Sequence, residues 1–309
     1  MTASDEQGPK FSRRTLLAGA GFVASQAMFG VRTGAEAAAK LYRRPKEMRY
    51  PLFDEATENV IPSTGYLSKV ALKDCIVRCI RQGVISRDKY RALQKSYGEV
   101  PAVFSSILKT PDNDPIRLTR ENAGHYVNLL WAAGLSNRLD ANKGSPIAGK
   151  DLANFASTGG WTLGLASEGS VYFNKFPIIE LKPEAEALAV RVAESTYRPC
   201  CNNSTFFQDC NHGSALFAVL QLGASQGLNE DQLYKEALAF NSYWFPDYYV
   251  ATALYFKIVR KMEWRDVDAR TVMGAEFSAG GPWQQNVLAP LQAIPNLFPP
   301  PSGGANCGT

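Results

Sequence analysis

Apolar positions recur at helical spacing along most of the chain, and the clearest pattern lies in its second half. Residues 214–226 are apolar nearly all round, which predicts a buried central helix that Gly227 stops. Asn229 follows as an N-cap, with Gln232 three residues on to complete a capping box, and this helix should run to about Asn241. Pro246 suits the first turn of a further helix reaching Lys261. Upstream, the spacing predicts helices over 67–82 and 87–97, and a third over 122–133 that Thr119 can cap and whose apolar face carries Val127, Leu130 and Trp131. Pro183 opens another over 184–196.

The Gly-rich stretch 144–181 breaks the helical rhythm. Trp161-Thr162-Leu163 and Val171-Tyr172-Phe173 flank the polar run 167–170, which predicts a β-hairpin, and 178–181 could add a strand. Residues 40–66, with Pro45, Pro51 and Pro62, have no sustained period and read as an extended lead-in. The last thirty residues are rich in Pro and Gly and should drape over the surface. The expected fold is mainly α: one globular helical domain over 67–290 with a small β-hairpin, followed by a tail over 291–309.

Composition narrows the class. With 45% apolar residues and 34 aromatics (16 Phe, 13 Tyr, 5 Trp) in 309, the chain can bury a core, and disorder is excluded. A net charge of only +4 gives no general pull toward nucleic acid, and none is expected as a partner.

The N-terminus carries an address. Arg13 and Arg14 stand before a weakly apolar run, 16–31, and small residues gather over 35–39 as A-x-A-type cleavage sites. The run is too short and too interrupted by Ser25 and Gln26 to span a bilayer stably. Residues 1–39 resemble a bacterial twin-arginine (Tat) signal peptide. The resemblance implies the Tat export machinery as a partner, periplasmic localisation, no membrane span after cleavage near Lys40, and a raised prior for a cofactor acquired before export.

Chemistry concentrates just before the buried helix. Cys200, Cys201, Cys210, His212 and Asp209 fall within 13 residues, in a chain with six cysteines and two histidines. Soft thiolates with an imidazole suit zinc, copper or an iron–sulfur centre, while Asp209 could fix the imidazole tautomer. Adjacent cysteines hardly ligate one ion together, and the spacing is not that of a zinc finger or ribbon. The alternatives are a disulfide-stapled ligand-binding or structural protein, with Cys200 or Cys201 bridged to Cys210 or Cys307, and an enzyme using Cys210 as nucleophile with His212 as base. That last pair, two apart, would point apart on a helix, so it needs non-helical geometry. Cys75 and Cys79, four apart on a predicted helix, and His125 are weaker candidate ligands, more ordinary as buried core groups. No phosphate loop, dinucleotide fingerprint, haem-attachment motif or serine-nucleophile elbow is present.

Overall fold

The computed structural model describes residues 50–95, 101–158 and 161–299. In chain order the elements are α1 (Pro51–Val60), β1 (Tyr66–Lys73), α2 (Cys75–Arg81), α3 (Arg87–Lys95), α4 (Ala102–Ile107), β2 (Asp112–Leu118), α5 (Ala123–Ser136), α6 (Leu152–Ala156), α7 (Pro183–Ser195), α8 (Asn211–Ser225), α9 (Glu230–Trp244) and α10 (Pro246–Ile258), then short helical turns between Ala269 and Gln292. No helix among the described residues is long and apolar enough to cross a membrane.

The core is organised around α8, which is buried from His212 to Ala224 as its all-round apolar sequence requires. Helix α5 lies along one flank, and α7, α9 and β1 cover the rest. Gly134 on α5 lets the two central helices meet closely: a Cβ there would overlap the Ser214 carbonyl oxygen of α8. The boundary signals between α8 and α9 act as expected. Gly227 has φ +85°, and Asn229 and Gln232 exchange bonds of 2.9 and 3.0 Å in a capping box.

The architecture is therefore mainly helical with a two-stranded antiparallel element, but other segments form the strands. β1 and β2 pair from Tyr66–Leu118 to Lys73–Asp112, so the helix expected over 67–82 is a strand followed by the short α2. Long-range partners override the local period. The buried Glu236 carboxylate on α9 accepts from Tyr66 Oη, Ser68 Oγ and Lys69 N at 3.0, 2.6 and 3.0 Å. The Gln226 amide bonds Ala71 N and O at 3.0 and 2.8 Å, acting as a substitute neighbour for the strand.

The hairpin expected at 161–173 does not form. Residues Gly169–Tyr172 make a 3₁₀ turn, and Trp161, Leu163 and Tyr172 reach the core from loop backbone. Trp161 meets Trp131 edge-on at 4.9 Å, and the Tyr172 hydroxyl donates to Gly83 O at 2.9 Å. At 178–181 the Asn137 side chain accepts the Ile178 and Ile179 N–H groups at 2.9 and 2.8 Å, where a strand partner would otherwise stand. Part of the lead-in is helical, because Pro51 starts α1 and Phe53, Ala56 and Val60 dock on the core. Much of the C-terminal stretch is also packed rather than draped, with Trp283, Val287, Leu288 and Leu291 buried.

Candidate metal centre

The site is built on a buried arginine. Arg198 leaves the segment after α7 with its side chain wholly inaccessible, and every guanidinium nitrogen has an acceptor. Nε donates to Cys210 Sγ at 3.1 Å, Nη1 to the Asn203 and Ser204 carbonyls at 3.1 and 2.8 Å, and Nη2 to the Phe207 carbonyl at 3.0 Å and to Asp209 Oδ1. The loop 199–209 is thus wound around one cation, whose desolvation is offset by full pairing. Gly213 is required beside it, since a Cβ there would stand 2.7 Å from the guanidinium.

Cys210 is the N-cap of α8, with extended backbone at φ −150°, ψ 166°. Its sulfur accepts from Gly213 N at 3.3 Å, using a donor that the helix start leaves free. This extended residue is the non-helical geometry that the Cys210/His212 pairing needs. Cys200 Sγ lies 3.6 Å from Cys210 Sγ, and one ligand atom each from Cys200, Cys210 and His212 lie within 4.8 Å of one another. Cys200 and Cys210 are partly exposed, while the His212 ring is packed on Phe245 at 4.6 Å and near Trp244 at 5.9 Å. The group could hold a metal ion.

The electrostatics favour metal-binding forms at two of these three groups. The Cys200 and Cys201 thiols donate toward Cys210 and, with the Arg198 charge assisting, hold it well below the usual thiol range although burial opposes the shift. Cys200 is pushed up by its hydrogen bonds to Cys201 and Cys210, with burial adding to the rise. Burial takes His212 down to about 4, so its imidazole is neutral at pH 7.

Cys201 falls outside this group, and its sulfur also lies 3.8 Å from both the Asn203 carbonyl and Asp209 Oδ1. Its carbonyl accepts from Gly280 N at 3.0 Å and the Asn202 side chain accepts from Gly281 N at 2.7 Å, which ties the C-terminal stretch to the site. Asp209 does not orient His212. Its carboxylate is engaged by Arg198 and by Asn203 Nδ2, because a buried guanidinium claims the nearest anion.

The weaker candidates lie apart from this group. Cys75 and Cys79 are core residues of α2, both pushed up by burial, Cys79 to about 12. His125 is buried on α5 against Phe104, with Nδ1 bonded to Gln94 Oε1, and burial lowers it. The five described cysteines are free thiols, so none of the expected disulfides is formed among them, and Cys307 lies outside the described residues. Sequence reasoning missed the role of Arg198. No protein-family model, curated protein or solved structure matches the chain.

Proposed function

We propose that the protein binds one tetrahedrally coordinated transition-metal ion, zinc by preference, through Cys200, Cys210 and His212. The observation that carries this reading is the 3.6 Å separation of the two sulfur atoms. With metal–sulfur bonds of about 2.3 Å it corresponds to an S–metal–S angle of about 103°, close to the tetrahedral value. A linear two-thiolate copper(I) site would need the sulfurs about 4.6 Å apart at the same bond length. The nitrogen–sulfur spacing in such a zinc site is about 3.6 Å, so from a present separation within 4.8 Å His212 closes by at most about 1.2 Å.

Charge supports the same choice. Two thiolates balance a divalent cation, and Arg198 with Asp209 forms a pair of its own, so the loaded site carries no net buried charge. Three protein ligands leave a fourth position for water or an exchanging ligand.

The test is metal analysis of protein purified under reductant and without chelator, with cobalt(II) substitution as a spectroscopic check. One equivalent of metal and a thiolate-to-cobalt charge-transfer band should be present, and both should fall in Cys210→Ser and His212→Ala. Equal metal content in wild type and both variants would overturn the assignment.

The cellular setting proposed is the periplasm, reached through the Tat machinery. Its support is the arrangement of Arg13, Arg14, the apolar run and the small-residue site, all outside the described residues. Changing Arg13 and Arg14 to Lys should retain the precursor in the cytoplasm, and undiminished export of that variant would remove the reading.

A further inference from the structure

We infer that Cys200 and Cys210 are also a redox-active dithiol, oxidised to an intramolecular disulfide by an external low-molecular-weight disulfide. The inference rests on the metal reading in one respect only, namely that metal occupancy and oxidation should exclude each other.

The geometry of the pair carries it. The sulfurs are 3.6 Å apart in the reduced chain, so a bond of about 2.05 Å needs an approach of only about 1.6 Å. The two sulfurs are differently served: Cys210 receives N–H donors from Arg198 and Gly213 at 3.1 and 3.3 Å, which disperse negative charge on that atom. Cys200 has the Cys210 sulfur as its partner and no such N–H donor. The third thiol, Cys201, has oxygen partners of its own, with Asn203 O and Asp209 Oδ1 both at 3.8 Å. Both members of the pair are intermediate in exposure.

The chemistry closes in two exchanges. The Cys210 sulfur attacks one sulfur of R–S–S–R, forming the mixed disulfide Cys210–S–S–R and releasing RS⁻. Cys200 then attacks the Cys210 sulfur and releases the second RS⁻. The two protons shed by the protein thiols end on the two released thiolates. The external disulfide gains two electrons and the protein dithiol loses them. With zinc bound, both sulfur lone pairs are committed to the metal, so oxidation must expel the ion.

The experiment uses the full chain, metal-free and zinc-loaded, with oxidised glutathione as the probe and alkylation followed by peptide mapping as the readout. The metal-free protein should lose two titratable thiols and yield a Cys200–Cys210 cross-link. Cys200→Ser should stop at a glutathione adduct on Cys210, and Cys201→Ser should still cross-link. The zinc-loaded protein should react at least tenfold more slowly and release its zinc as the cross-link forms. A bond involving Cys201, a bond between chains or no cross-link overturns the inference even if zinc binds. Equal rates with and without bound zinc overturn the exclusion. Failure of zinc to bind at all defeats the metal reading, while the metal-free arm still decides the dithiol.

Discussion

Arg198 Nε donates to Cys210 Sγ at 3.1 Å from a side chain with no solvent exposure, so a fixed buried cation sits directly beside the proposed ligand. The same guanidinium closes the loop through three carbonyls and Asp209. Replacing it by Met leaves those acceptors and a nearly buried carboxylate without a partner. Arg198→Met should therefore cost about 3–5 kcal/mol of stability. Arg198→Lys keeps the charge but not the five-donor fork, and should recover only part of the loss. Urea unfolding of the metal-free variants measures both, and a cost below 1 kcal/mol for the Met variant would refute this account of the loop.

His212 sets a pH signature on the metal-free protein. Burial takes the imidazole down to about 4 in the folded chain, from an ordinary value of 6.5. Well above pH 6.5 neither folded nor unfolded chain holds the proton. Between 6.5 and 4 the unfolded chain takes it up and the folded chain does not, so stability must fall on acidification, by about 3 kcal/mol in all. His212→Phe should flatten that part of the stability–pH profile, measured by denaturant midpoints at pH 7.5, 6 and 4.5. An unchanged slope in the variant would show that the imidazole is not the group responsible.

What could be read from the chain and what could not divides along the range of the interactions. The stop at Gly227, the capping box at Asn229 and the Pro starts at Pro183 and Pro246 are decided within four residues, and all are present. β1 was hidden because Leu67, Val70 and Ala71 suit a helix face as well as a strand, and its partners Leu118, Gln226 and Glu236 lie far along the chain. The aromatics at 161–173 suggested strands by propensity, whereas tertiary packing on Trp131 decides their place. Of the site, the sulfur and imidazole groups were visible by residue type. The charge that organises them was not, because nothing local marks Arg198 as buried. The only hint was a cation two residues before a double cysteine.

Gly134 links core packing to the site. A methyl group there would overlap the Ser214 carbonyl oxygen, and Ser214 lies two residues after His212 at the start of α8. The backbones of α5 and α8 must separate to admit it, and overpacking of this kind costs about 1–3 kcal/mol. Gly134→Ala should lower thermal stability and weaken zinc affinity together, as read by a melting curve and a chelator competition. Gly144→Ala is the control, since no atom lies within 4 Å of a Cβ at that position.

Cys75 and Cys79 should prove dispensable for metal. Both are buried in α2 and neither joins the Cys200, Cys210 and His212 group. Ala at either position removes one sulfur from a packed interior, at roughly 1 kcal/mol each. Metal stoichiometry should stay at the wild-type value in the double variant. A drop in bound metal at unchanged folding would bring these thiols into the site.

Asp247 provides a test of the opposite sign to His212. It lies in the first turn of α10, two residues after the Phe245 ring that rests on His212, and burial raises its carboxyl to about 6 from an ordinary value of 3.8. Here the folded chain holds the proton more tightly than the unfolded one, so stability falls as pH rises from about 4 through 6. The full shift corresponds to about 3 kcal/mol, and attraction of the carboxylate to the helix N-terminus offsets up to about 1 kcal/mol of that. Asp247→Asn removes the charge and keeps the shape. At pH 8 the variant should be more stable than wild type by about 1–3 kcal/mol, and at pH 4 the two should converge. Other groups titrate over this range as well, but they do so in both proteins and cancel in the difference. Denaturant unfolding of the pair at the two pH values decides it: a difference absent at pH 8 would mean that the Asp247 carboxyl is stabilised as an anion in the folded protein, and one unchanged at pH 4 would mean that its ionisation is not the cause.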